Sequence, residues 1–263
     1  MTARPDLDAG ALMVDAALSY AHRGWLVLPI HSVDTGRCTC GRADCASPAK
    51  HPLTRRGLKD ASADPQVIER WWRRWPRANV AVRTGQESGL LVLDFDPRNG
   101  GDESLAALVH EHGALPLSVQ SHTGGGGEHH FFSAPAHGGG LRSTLAMGID
   151  VKADGGYVLL PPSSHISGGA YRWREGHAPH EIELARPADW LLEMLARRTA
   201  PVAAPPRSTA PQCSGSDDLL SAGQRYVSAA QPADEGARNS AAFRLAGHLA
   251  AFETASGERL ARA

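Results

Sequence analysis

Two carboxylates separated by one residue, Asp94 and Asp96, stand at the polar end of the apolar run Leu91-Val92-Leu93. Alternate side chains of a strand share a face, so this spacing sets the two acids side by side with Phe95 turned away. Neighbouring anions repel unless one is protonated or a cation lies between them. For oxygen donors that cation is Mg2+ or Mn2+. The competing explanation is a pair of solvated aspartates entering the turn Pro97-Arg98-Asn99-Gly100-Gly101. Further along, Asp150 and Lys152 alternate in the same way and set a third carboxylate beside an ammonium, which suits a metal-bound triphosphate. Between these segments lies Thr123 followed by four glycines, a pattern that serves a tight turn, a flexible hairpin tip, or the approach of backbone N–H groups to an anion. In the strand after it, His129 and Phe131 project to one face and His130 and Phe132 to the other. One imidazole can therefore share the acidic face, where it would contact phosphate, ligate metal or pack as a polar core residue.

A second chemistry is concentrated at 38–51. Cys38, Cys40, Cys45 and His51 supply three thiolates and an imidazole, enough for a closed tetrahedral Zn2+ site of the structural kind. Asp44 and His31 are alternative fourth ligands. Crowded cysteines in a reducing compartment argue for metal rather than disulfides. Cys213 stands alone and has no assignable role.

The elements that must position these groups can be read from periodicity. Residues 8–23 have a helical apolar rhythm ended by Gly24, and 25–30 form a buried strand. Asp64-Pro65 caps a helix running to Trp75. Strands are expected at 79–84 and 90–94, a helix at 102–112 begun by Asp102, and short strands at 117–121, 129–132, 149–152, 157–160 and 171–174. Asp154-Gly155-Gly156 reads as a hairpin turn. A helix at 187–198 follows. This order predicts an α+β fold with a largely antiparallel sheet over 1–198, then a Pro/Ala/Ser linker at 199–216 and a helical segment at 217–263. The helical segment stops without a terminating signal, so the chain reads as the front part of something longer.

With 42% hydrophobic residues the chain can bury a full core, and a net charge of −1 advertises no polyanionic partner. The Arg/Trp helix at 66–77 has the residue types of a single-stranded DNA platform, but tryptophans at helical spacing more often belong to the core. No run spans a bilayer and the N-terminus lacks the apolar centre of a secretory signal, so a cytoplasmic location is expected.

Taken together, Asp94-Phe95-Asp96, Gly127-Glu128-His129, and Asp150 ahead of Gly155-Gly156-Tyr157-Val158 and Pro161-Pro162-Ser163 resemble the motifs of the bifunctional DNA primase/polymerase (prim-pol) family. The upstream segments Lys50-His51-Pro52 and Gly57-Leu58-Lys59-Asp60-Ala61 add to the likeness, which covers about 10–195. Gly127 stands where serine is often seen, and the choice of His129 over His130 depends on strand register. The resemblance implies two-metal nucleotidyl transfer on a single-stranded DNA template. Asp94, Asp96 and Asp150 would hold two Mg2+ or Mn2+ ions, His129 would contact the incoming NTP or dNTP, and Lys152 would assist as a point charge. The C-terminal segment resembles the helical part that follows the catalytic core in plasmid and phage relatives, and a replicative helicase would be a separate chain or a continuation of this one. Two other readings use the same residues: a metal-dependent nuclease, and a zinc-stabilised DNA-binding replication module without catalysis.

Overall fold

In the computed structural model, residues 5–136 and 140–196 are described. The expected linker at 199–216 with Cys213, the helical segment at 217–263 and the last two residues, 197–198, of the helix expected at 187–198 lie outside them.

The order of elements is α1 (Pro5–Ala21), β1 (Val27–Ile30), β2 (Val33–Asp34), β3 (Arg37–Cys38), α2 (Pro65–Arg74), β4 (Asn79–Arg83), β5 (Leu90–Phe95), α3 (Gly101–His112), β6 (Val119–His122), β7 (Glu128–Ser133), β8 (Thr144–Ala146), β9 (Ile149–Lys152), β10 (Tyr157–Leu159), β11 (Arg172–Trp173) and α4 (Asp189–Leu195). The fold is α+β. Among the described residues all strand pairs are antiparallel: a three-stranded sheet β1-β4-β10, a six-stranded sheet β11-β6-β7-β5-β9-β8, and the two-stranded hairpin β2-β3.

Strand β5 occupies the interior of the larger sheet because Leu90 to Leu93 are apolar on both faces. Leu91, Leu93 and Phe95 pack with Phe132, Ile149, Leu108 of α3, and Leu191 and Leu195 of α4. Leu90 and Val92 pack on the opposite face with Phe131, Val80 and Val82 of the smaller sheet, Tyr20 of α1 and Trp72 of α2. The sheet therefore has a different hydrophobic layer on each side. Asp94 continues the second face beyond its apolar part.

Helix α2 starts as anticipated: Pro65 opens it and the Asp64 carboxylate accepts from the Gln66 N–H at 2.9 Å. Its tryptophans take the core role. Trp72 is 3% exposed and donates its indole N–H to the Ala78 carbonyl, so truncating it to alanine would cost about 3–5 kcal/mol. Trp71 and Trp75 pack against the same cluster.

Two local expectations change. The Asp154-Gly155-Gly156 turn does not make a hairpin, because β9 pairs with β5 whereas β10 pairs with β4. It carries the chain from one sheet to the other, held by Gln86 N–H to Asp154 Oδ1 at 2.8 Å and Thr84 N–H to the Gly156 carbonyl at 3.0 Å. Helix α3 starts at Gly101 after a left-handed Gly100, and Asp102 lies within its first turn instead of capping it. Strand β8 is additional, and it meets β9 across a bulge between Thr144 and Ala146.

Candidate active site and metal centre

The register of β5 decides which side chains meet. Asp94 lies directly opposite His129 on β7 and directly opposite Asp150 on β9. Directly opposed residues of antiparallel strands share a face with Cβ atoms about 4.5–5.5 Å apart. Three groups far apart in the chain thus form one row across three strands. His129 Nε2 is 3.4 Å from Asp94 Oδ1, and the Lys152 ammonium is 2.9 Å from Asp150 Oδ2 and 3.7 Å from Asp94 Oδ2. A positive charge already bridges the two carboxylates. His130 faces the other layer, where its Nε2 lies 3.0 Å from Glu128 Oε2 and its ring packs on Phe95 at 4.6 Å between centroids.

Asp96 follows the end of β5 and caps the turn at Pro97–Asn99. It accepts from the Arg98 N–H, the Arg98 guanidinium and the Asn99 amide at 3.1, 3.2 and 2.8 Å. The turn docks on the segment leading into β9. The Asp96 N–H donates to the Gly148 carbonyl at 2.8 Å, and a Cβ on Gly148 would fall 2.4 Å from the Gly101 nitrogen. The absence of a side chain at 148 therefore lets the turn after the acidic pair approach the start of the Asp150 strand.

The row opens into a cavity of about 720 Å³ lined by Asp94, Asp96, His129, Asp150 and Lys152. Four further lining residues, Lys50, Arg98, Tyr157 and Tyr171, were not singled out as site residues from sequence alone. Lys50 lies in a segment already notable for its family likeness, and Tyr157 lies in the Gly-Gly-Tyr-Val run. Tyr171 had no signal, since its approach depends on tertiary pairing. His165, 7% exposed, packs under the glycine turn through Ser167, whose hydroxyl donates to the Gly124 carbonyl at 2.7 Å.

The glycine turn is closed by Thr123 N–H to the Gly127 carbonyl at 2.7 Å and Gly127 N–H to Thr123 Oγ1 at 2.9 Å. A Cβ at Gly127 would meet the Phe95 carbonyl oxygen at 2.3 Å, and a backbone neighbour cannot yield as a flexible side chain can. Gly127→Ser is expected to destabilise the domain by about 1–3 kcal/mol, checked by urea unfolding.

Burial opposes ionisation of Asp94. The hydrogen bond from His129 and the charges of His129, Lys152 and Lys50 outweigh it and leave the carboxyl below its ordinary range. Burial, and then the Asp94 charge, push the Tyr171 phenol well above its ordinary value and keep it protonated at neutral pH. Because the folded-state value of Asp94 is depressed, its stabilising contribution is complete above the unfolded value near 3.8 and is lost as pH falls through the lower folded value. Replacing Asp94 with Asn should therefore flatten the acid limb of stability below about pH 4, measured by urea midpoints at successive pH values. The Nδ1 of His129 is buried without a hydrogen-bond partner. The other ring nitrogen, Nε2, is the one turned to the carboxylate row.

The Cys/His loop closes on itself. The ligating atoms of Cys38, Cys40, Cys45 and His51 all lie within 4.8 Å of one another. His51 Nε2 is 3.4 Å from Cys38 Sγ and 3.5 Å from Cys45 Sγ. In a tetrahedron with Zn–S of 2.3 Å and Zn–N of 2.0–2.1 Å the S···N edge is about 3.6 Å, so the spacing fits. Of the alternative ligands, His31 binds Thr39 Oγ1 through Nδ1 and packs its ring on His51, and Asp44 pairs with Arg42 at the surface. Among the described residues this is the one cluster of three or more His, Cys, Asp or Glu groups so tightly drawn. The Asp94, Asp96 and Asp150 carboxylates stand more openly. Their oxygen donors suit a hard divalent cation, at a position where the single Lys152 ammonium pairs with two of them.

No helix among the described residues is long and apolar enough to cross a membrane. Comparison with curated proteins finds no match. A family model described as bifunctional DNA primase/polymerase, N-terminal, matches residues 17–190, a span that includes the whole acidic row, the glycine turn and the Cys/His loop. With its three motifs brought to one sheet face and more than half of its length matched, the chain belongs to the bifunctional DNA primase/polymerase (Prim-Pol) family.

Proposed function

We propose that this protein makes or extends primers on single-stranded DNA by nucleotidyl transfer from NTP or dNTP. Family membership supports a primase/polymerase-type activity on DNA and nucleotides in general. The observation that carries the finer reading is the register that sets Asp94 between His129 and Asp150, with the Lys152 ammonium bridging the two acids.

In this reading the oxygen of a primer 3′-hydroxyl, or of the first nucleotide's hydroxyl, attacks the α-phosphorus. One P–O bond forms, the bond to the pyrophosphate oxygen breaks, and the hydroxyl proton passes to solvent. Asp94, Asp150 and Asp96 would hold the divalent cations, Mg2+ or Mn2+, which lower the charge on the attacking and leaving oxygens. Asp94 enters the reaction ionised, since its neighbours depress its pKa. Lys152, 2.9 Å from Asp150 Oδ2 and 3.7 Å from Asp94 Oδ2, would offer its ammonium to the triphosphate as a point charge. His129 lines the cavity beside the acids, and its Nε2, 3.4 Å from Asp94 Oδ1, is the nitrogen that would meet the triphosphate. Catalysis then rests on positioning and charge neutralisation.

Zn2+ in the Cys38, Cys40, Cys45 and His51 set would be structural, because four protein ligands leave no open position. Elemental analysis of the purified protein should give one zinc per chain, and Cys45→Ser should lose most of it. Such a reaction fits a cytoplasmic protein, with unwinding supplied by a helicase on a separate chain or a continuation of this one.

The test incubates single-stranded template, labelled NTP or dNTP and Mn2+ or Mg2+ with the wild type and with Asp94→Ala/Asp96→Ala. Product from the wild type alone supports the assignment, and equal product from both refutes it. Shortening of the template without nucleotides would identify a nuclease instead. Template binding without product under any metal would identify a non-catalytic replication module.

A further inference from the structure

Of the permanent cations lining the cavity, Arg98 is paired with Asp96 and Lys152 with Asp150 and Asp94. Lys50 alone has no ion-pair partner among the described residues, although it acts electrostatically on both Asp94 and His165. A cation directed to an open anionic site and left unpaired has its counter-charge in the ligand.

Lys50 immediately precedes His51 of the metal centre. Its backbone is held from both sides of the site. On the metal side, the Ala49 N–H donates to Cys38 Sγ at 3.3 Å, and Ala49 adopts a left-handed φ of 57°. On the catalytic side, the Tyr157 hydroxyl donates to the Lys50 carbonyl at 2.7 Å, and Tyr157 lines the cavity. Between β3 and His51 only Ala49 is buried, and residues 39–48 pack nothing into the core. A non-glycine residue in the left-handed region persists only where its surroundings over-determine it. Here the Cys38 thiol at the Ala49 N–H and the Asn79 amide, which donates to the Ala49 carbonyl at 3.3 Å, supply that constraint.

We propose that the Cys3His centre positions the active site, by holding Lys50 where its ammonium meets the triphosphate of the incoming nucleotide. This rests on the nucleotide-binding reading of the cavity. Metal loss then weakens nucleotide binding through Lys50 in addition to any effect on stability. Linkage also requires that bound nucleotide strengthen the hold on the metal.

The experiment measures fluorescent NTP binding to the full chain by anisotropy, in Mn2+, for the wild type, Lys50→Ala, Cys40→Ser/Cys45→Ser and the combination of all three substitutions. Lys50→Ala should weaken binding about tenfold, the loss of one charge-assisted contact. The cysteine variant, if its far-ultraviolet spectrum is native, should weaken it to a similar extent, and the combination should be no weaker than the worse of the two. Wild-type affinity in the cysteine variant, or multiplied effects in the combination, would overturn the proposal. If the cysteine variant fails to fold, the wild type and Lys50→Ala are loaded with Co2+ and the absorption bands of the thiolate-bound ion are followed as NTP is added. A band shift in the wild type that is absent in Lys50→Ala supports the coupling, and bands indifferent to NTP in the wild type refute it. If the wild type binds no NTP at all, the cavity reading itself fails and this proposal falls with it. Normal NTP binding that ignores the metal overturns this proposal alone.

Discussion

Asp94→Asn should abolish nucleotide incorporation, lowering kcat by about 10³-fold or more, while the folded protein remains intact. The carboxylate sits at the crossing of every interaction in the row: opposite His129, opposite Asp150, and 3.7 Å from the Lys152 ammonium. An amide of the same shape keeps an oxygen toward His129 and preserves packing. It removes the negative charge that a divalent cation requires, and charge stabilisation of that kind is worth several kcal/mol, where about 1.4 kcal/mol is tenfold in rate. Asp94 is partly desolvated, so at neutral pH the substitution should leave the thermal midpoint within a few degrees of the wild type. A rate loss accompanied by wholesale unfolding would show that Asp94 serves the fold and not the reaction.

The adjacent histidines should separate sharply. His129→Ala is expected to lower kcat/KM for nucleotide by about 10²-fold, because it removes a ring that lines the cavity and whose Nε2 holds Asp94. It should also raise the Asp94 pKa, since the largest favourable influence on that carboxylate disappears. His130→Ala should act through stability. It leaves Glu128 with His122 alone and opens a gap against Phe95 in the layer beneath the sheet, at a cost of about 2 kcal/mol. Steady-state kinetics and denaturant midpoints on the same two proteins distinguish these effects, and the reverse pattern would mean that β7 is read one residue out of register.

Register explains how much of this site was visible in the sequence. Alternation is a local property of a strand, so the shared face of Asp94 and Asp96, of His129 and Phe131, and of Asp150 and Lys152 follows from spacing alone. Which strands stand beside β5 is a non-local choice, and no spacing rule places Asp94 between residues 129 and 150. The Asp154-Gly155-Gly156 turn shows the limit clearly. Its residue types suit a hairpin, yet Tyr157, Val158 and Leu159 pair with Arg83, Val82 and Ala81 in the other sheet. Core packing on both sides of that turn overrides its local preference. Lys50 and Tyr171 escaped notice as site residues for the same reason, since each reaches the cavity from a segment whose role depends on tertiary contacts. The Cys/His loop was the most legible part because its four candidate ligands lie within a short stretch and chain connectivity alone keeps them close. What the structure adds there is the choice of His51 over His31 and Asp44.

The most direct measurement of the central claim is the anomalous scattering of Mn2+ in crystals of the protein grown with a nonhydrolysable nucleotide. Manganese peaks shared by the carboxylates of Asp94 and Asp150, with the triphosphate against His129 and the Lys152 ammonium turned from the acids to phosphate, are the predicted result. Manganese bound elsewhere, with Lys152 still bridging the two aspartates beneath the nucleotide, would contradict it.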